Sequence, residues 1–295
     1  MYNKETTSTI PTSCPRMINL LDVVRWTFRR SPSDIIRLYN SLSGVMVTAT
    51  GGASLNFGLW SDDCVEPLLA QDNMARHFGR MADLDTASVG ADVGCGRGGP
   101  AKIWQQLYPD FDIIGVDVNR RGLVEAKRLD LAVNALSTSL PLANNSMDRV
   151  LALESAQHFR PLSVFTNEAA RVLKPGGILC MAIPVVGRQY HISRLGMLWL
   201  TWTSEHYNVS TIHEAIKASG LHIQYEEMVG PMVYLPMANY YMNNRDSLQE
   251  RITATYPRYV ESILYRSILD MRRASTQDVI EYMIIKCIKP SHERI

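Results

Sequence analysis

The chain has 295 residues, of which 46% are hydrophobic and 20% charged, a composition that excludes a disordered or collagen-like polymer and fits one large domain or two small ones. Lysine plus arginine number 30 against 29 aspartates and glutamates, a formal net charge of +1, so the overall balance argues against a protein that grips nucleic acid through its phosphates. Five scattered cysteines (Cys14, Cys64, Cys95, Cys180, Cys287), none paired at CxxC spacing, argue against a disulfide framework or a zinc site and for reduced thiols in a cytoplasmic protein.

Residues 1–16 are polar and proline-bearing, lack the apolar core of a signal peptide, and read as a flexible tail. A helical cap is expected over 17–82. Ile18, Leu21, Val24 and Phe28 recur at helical steps, Ser31-Pro32-Ser33-Asp34 interrupts them with turn and N-cap chemistry, and Ile35 and Ile36 resume. With Trp26 and Phe28 on it, the first helix can dock on its own domain or exchange with a neighbouring copy. A glycine-containing connection leads to Leu55-Asn56-Phe57-Gly58-Leu59-Trp60, and a further helix is expected over 64–81.

From Ser88 short apolar strands alternate with helices. Strands are expected at 89–93, 113–118, 149–153 and 178–183, with helices at 100–107, 121–133 and 163–173 between them. Such alternation predicts a doubly wound, Rossmann-like α/β core with a parallel sheet and right-handed crossovers. Beyond Pro184 come a helix at 211–219, a strand at 223–227 and a last strand at 279–288. A helical insert at about 229–276 separates those two strands and is placed to act as a lid on a domain spanning 83–295. The longest apolar stretch, 195–202, is too short to span a bilayer.

Chemistry concentrates at Asp92-Val93-Gly94-Cys95-Gly96-Arg97-Gly98-Gly99, between an expected strand and an expected helix. Glycines there allow a tight turn and let a ligand approach the backbone. Asp117 follows at the end of the next strand, where a carboxylate can accept both hydroxyls of a ribose. Together these point to a nucleoside-containing ligand. The pattern is Asp-x-Gly-x-Gly-x-Gly, led by an acid, rather than the dinucleotide GxGxxG.

In this it resembles motif I of the class I S-adenosylmethionine-dependent methyltransferases. Gly115-Val116-Asp117-Val118, Leu140-Pro141-Leu142, Asn145-Ser146-Met147-Asp148-Arg149-Val150 and Arg171-Val172-Leu173-Lys174-Pro175-Gly176-Gly177 resemble the family's later motifs, in order, over about 88–184. The resemblance implies a seven-stranded sheet and S-adenosyl-L-methionine as cofactor, with Asp92, Gly94, Cys95, Gly96, Gly98, Asp117 and Val118 around it. The family commonly places an Asp four positions before the Leu-Pro pair to bind adenine. Here that position is Leu136, which leaves Asn134, Ser137 or a backbone carbonyl for the role.

A finer resemblance is to the small-molecule branch, the sterol, tocopherol and natural-product methyltransferases. Tyr39 and the Asn56–Trp60 stretch look like the elements that close over the sulfonium there; the alternative is that Phe57 and Trp60 only pack the cap. His158, just beyond the fourth motif strand, is the expected base or orienting group, and Glu154 is expected to polarise it or orient the acceptor. His191, His206 and His213 are further candidates for the cleft. No metal site is expected. The insert's tyrosines and methionines fit core packing or an apolar acceptor pocket, and its six arginines fit an ion-paired face better than a diphosphate site. The implied reaction is methyl transfer to a small, largely apolar natural-product acceptor. Carbon methylation of an isoprenoid or related alkene comes first, then O-methylation of a phenol or hydroxyl, then a cofactor-binding member without activity.

Overall fold

A computed structural model describes residues 31–51, 55–126, 129, 131–202 and 205–291, excepting the side chains of Leu42 and Leu200. The expected tail and the helix over 17–30 lie outside the described residues. Helix α1 (Pro32–Thr50) begins where the Ser-Pro-Ser-Asp signal places it: Ser31 caps it, Asp34 completes a capping box, and Pro32 occupies its first turn. It runs to Thr50 and stops at Gly51, which takes the left-handed conformation. Helix α2 (Pro67–Met81) follows and buries Met74 and Phe78.

The core begins with β1 (Val89–Val93), α3 (Gly99–Leu107), β2 (Asp112–Asp117), α4 (Arg120–Glu125), β3 (Leu131–Asn134), β4 (Met147–Leu153), α5 (Leu162–Val172) and β5 (Leu173–Val186). After it come the short α6 (Leu198–Thr201), α7 (Val209–Ala218), β6 (His222–Met228), the insert helices α8 (Tyr234–Asn243), α9 (Arg245–Thr253) and α10 (Arg258–Thr276), and β7 (Ile280–Ile288). Seven strands form one sheet in the order β3-β2-β1-β4-β5-β7-β6.

Two expectations need correction. The helix expected over 121–133 ends at Glu125, and Leu131–Asn134 is instead a strand paired in parallel with β2. The sheet is also not wholly parallel: β7 runs antiparallel to both β5 and β6. An excursion through the insert lets the chain return in the opposite direction and slot β7 between them.

Side chains on β4 show how the sheet is covered. Val150 and Ala152 join α5 and α7 in one core cluster, whereas Leu151 and Leu153 join α2, α3 and the insert in the other. Both faces are therefore buried, as near-continuous apolar strands require. Two family-like motifs fasten this framework. The Arg171 guanidinium donates to the Leu140 and Leu142 carbonyls while Glu168 accepts from Leu140 N–H, so the Leu-Pro-Leu loop is tied to α5. The Asp148 carboxylate accepts from the backbone of Ser88 and Val89 and from Lys174, joining the entrance of β1 to the turn into β5.

Candidate active site

The carboxyl ends of β1, β2 and β4 open onto one cleft of about 630 Å³, within the range of small-molecule sites. Tyr39, Asp92, Gly94, Cys95, Gly96, Asp117, Val118, Ser137, Glu154 and His158 all line it, so residues up to 119 positions apart converge there. Leu136 lines it as well. Gly98 and Asn134 do not. Gly98 is the left-handed N-cap of α3, packed by the Leu129 side chain, and the Asn134 amide donates to the carbonyls of Asp117 and Val118.

The glycine turn is shaped for close approach. Gly94 has φ +80° and lies so near Ser155 that an added Cβ would come within 2.3 Å of its Cβ. Gly96, at φ +54°, meets nothing within 4 Å in the same test, so its bare backbone borders the cavity. Asp117 accepts from Gly96 N–H at 2.8 Å and from Asn119 N–H at 2.7 Å, which holds the carboxylate at the end of β2 against the turn. Asp92 is 3% exposed, and its Oδ2 has no hydrogen-bond partner among the described residues. Burial and the neighbouring Asp117 charge push its carboxyl up to about 7. Cys95 is likewise pushed up, chiefly by burial, and stays a thiol.

Beyond the turn, β4 ends and Glu154 adopts φ +52°, a conformation that residues other than glycine seldom take. Its Oε1 accepts from Phe57 N–H and from the Tyr282 hydroxyl, both at 2.9 Å. Burial outweighs these two bonds and raises the carboxyl to about 8. The Tyr39 hydroxyl lies 2.7 Å from His158 Nε2, with the two rings edge to face. Burial and the Glu154 and Asp117 charges push the phenol far above its ordinary range, so Tyr39 stays neutral.

The remaining candidates lie elsewhere. Trp60 packs on Tyr240 of the insert and Phe57 on Tyr234, neither ring lines the cleft, Asn56 of the same stretch does, and the Phe57 amide donates to Glu154. His191 caps a turn, His206 meets Tyr190, and His213 meets Glu226. The insert places Tyr234 and Tyr241 in the core. Arg245 pairs with Glu261 and Arg273 with Asp270, and none of the insert's arginines lines the cleft. Among the described residues, no cluster of three His, Cys, Asp or Glu side chains could hold a metal, and no helix is long and apolar enough to cross a membrane.

Several cleft residues carry no signal in the sequence. Arg160 and Tyr256 line it, the latter from the loop between α9 and α10, and Tyr282 reaches Glu154 from β7. Asn119 was legible in principle: an Asn two residues after the strand-ending Asp is a natural N-cap, and it caps α4.

Residues 91–181 match a family described as a methyltransferase domain. The chain is 30% identical over 175 residues to erythromycin 3''-O-methyltransferase of Saccharopolyspora erythraea, covering 55% of this chain and 57% of that protein. It is 36% identical over 144 residues to 2-methyl-6-phytyl-1,4-hydroquinone methyltransferase of Synechocystis, covering 44% of each. The chain thus spans about half the length of these curated relatives. Among solved structures, the [4+2]-cyclase SpnF superposes with a TM-score of 0.72 at 20% identity over 88% of this chain and 97% of that one. Geranyl diphosphate C-methyltransferase from Streptomyces coelicolor does so with a TM-score of 0.64 at 13% identity, over 88% and 97%. At such identities the likeness is one of fold. Motif order and strand order agree with the domain match: residues 91–181 match a methyltransferase domain, and the whole sheet has the class I, Rossmann-like methyltransferase fold.

Proposed function

We propose that the chain transfers a methyl group from S-adenosylmethionine to a hydroxyl of a small, largely apolar natural product. S-adenosylmethionine supplies an electrophilic methyl on a positively charged sulfur. The cleft fits such a cofactor on three counts: the bare Gly96 backbone, the pinned Asp117 carboxylate, and the unpartnered Asp92 oxygen. Asp117 is positioned to take the ribose hydroxyls. Leu136 and Ser137, from the loop after β3, are the wall left for the adenine. Asn134 acts indirectly by fixing the Asp117–Val118 backbone.

The observation that carries the reading is the Tyr39–His158 contact. It shows a hydroxyl at hydrogen-bond distance from an imidazole nitrogen inside the cleft, the relation that a general base needs with its acceptor. His158 takes the acceptor's proton, directly or through the Tyr39 hydroxyl. Because the phenol is held neutral, Tyr39 acts as donor or relay and not as an independent base. This favours oxygen over the carbon acceptor that the sterol-type resemblance suggested. The relatives' names point the same way, with erythromycin 3''-O-methyltransferase and the fatty-acid O-methyltransferase of Mycolicibacterium smegmatis among them.

Isotope-labelled S-adenosylmethionine offered with hydroxylated polyketides and glycosides, each with one hydroxyl blocked in turn, tests the proposal. Label appearing as an O-methyl, and lost when one hydroxyl is blocked, supports it. Label retained on carbon after every hydroxyl is blocked refutes the oxygen assignment.

A further inference from the structure

Four carboxyl groups, Asp92, Asp117, Glu125 and Glu154, line one cleft, and among the described residues no cation is paired with Asp92, Asp117 or Glu154. The arginines that line the same cleft are directed to other acids. Arg97 and Arg121 meet Glu125, and Arg160 lies 3.8 Å from Glu205. Asp92, at the end of β1, faces Asp117 from β2 and the Cys95 thiol. Glu154, after β4, faces neutral groups from every side: Tyr39 from α1, the Phe57 amide, Tyr234 from α8 and Tyr282 from β7. His158 approaches this group through Tyr39. With Glu125 already paired, Asp92, Asp117 and Glu154 are the lining acids that lack counter-charges; in a low-dielectric cleft they make an incomplete ion pair, and the missing half is a cation.

We propose that Asp92 and Glu154 make the cleft selective for a positively charged ligand, each holding a proton in the free protein and releasing it to solvent as a sulfonium-bearing ligand takes its place. The inference rests on the cofactor reading above and deepens it. The charge balances: two protons leave to restore two carboxylates, the incoming sulfonium neutralises one of them, and the ammonium of the ligand's amino-acid portion neutralises the other. One consequence is discrimination between substrate and product forms of the cofactor. After transfer the sulfur is a neutral thioether, the carboxylate regains a proton, and the spent cofactor is held less tightly. The raised carboxyls, near 7 for Asp92 and near 8 for Glu154, place the exchange at neutral pH.

Isothermal titration calorimetry of the full chain with S-adenosylmethionine, and separately with S-adenosylhomocysteine, in two pH 7 buffers of different ionisation enthalpy reads the exchange. On the order of one proton should be released per S-adenosylmethionine bound, and fewer per S-adenosylhomocysteine. Affinity for S-adenosylmethionine should rise with pH between about 6 and 8, by up to about tenfold per unit, with a shallower slope for the thioether. Glu154→Gln and Asp92→Asn should each reduce the proton count. Binding of S-adenosylmethionine with no proton released, or with the same number as S-adenosylhomocysteine, overturns the inference and leaves the cofactor assignment standing. Failure of both ligands to bind at any pH overturns the cofactor assignment and the inference with it.

Discussion

His158 and Tyr39 share one hydrogen bond, and replacing each separates their contributions. If the imidazole takes the acceptor's proton, His158→Ala should lower turnover by about two to four orders of magnitude, the usual range for a general base. Cofactor affinity, measured by calorimetry, should barely move. His158→Gln keeps an orienting amide but accepts no proton, so it should recover little; recovery of most activity would show that the residue only positions the acceptor. Tyr39→Phe keeps the imidazole and removes the hydroxyl, so its loss should be the smaller one. A Tyr39→Phe defect equal to that of His158→Ala would instead make the phenol an obligatory relay. Gly96→Val gives the cofactor test: its side chain would enter the cavity where the bare backbone now stands, and affinity should fall at least about tenfold.

At the scale of elements, the segment from Leu55 to Trp60 is the piece of the cap that reaches the chemistry, because the Phe57 amide holds Glu154. Gly58 fixes that segment. It has φ +81°, and an added Cβ would come within 2.6 Å of the Ala70 Cβ on α2. Gly51 has a similar φ of +78°, but its Cβ would meet nothing nearer than a Leu68 methyl at 4.0 Å. Both alanine variants should lose about 1 kcal/mol through the left-handed backbone, and Gly58→Ala a further 1–3 kcal/mol or so through the clash. Urea unfolding of the two variants checks this; equal losses would show that the segment is free to yield. Local signals made the start of α1, the glycine turn and strands β1, β2, β4 and β5 legible, since capping, glycine placement and apolar runs act within a few residues. Residues 131–133 suit the end of a helix as well as a strand by residue type, and only pairing with β2 decides between them. The direction of β7 depends on how the insert folds back, and Glu154's bonds to Phe57 and Tyr282 span 97 and 128 residues. No spacing rule reaches that far.

For the whole molecule, the same buried acids set how stability responds to pH. Asp92 rises from its ordinary 3.8 to about 7 and Glu154 from 4.5 to about 8, so the folded chain holds protons that the unfolded chain has already lost. Stability rises with pH only where the unfolded state binds more protons, and here the folded state binds more. The contribution of these groups is therefore fully present below about pH 4 and is lost as pH climbs through about 7 and 8. Asp148 and Glu168 act in the opposite sense, since their bonds to Lys174 and Arg171 hold them below the usual carboxylate range. Both side chains are only partly exposed, and their effect falls below pH 5 or so. Between pH 6 and 8.5 the buried acids should dominate, and the melting temperature of the ligand-free chain should fall. Asp92→Asn removes the charge that must form inside the cleft, so it should raise the melting temperature most at pH 8.5, raise it less at pH 5.5, leave it nearly unchanged below about pH 4, and flatten the slope between. Saturating S-adenosylmethionine should oppose the fall, adding about 2.7 kcal/mol at a hundred times its Kd. A melting temperature that climbs from pH 6 to 8.5 without ligand, unaffected by Asp92→Asn, would mean that Asp92 is ionised in the free cleft at neutral pH.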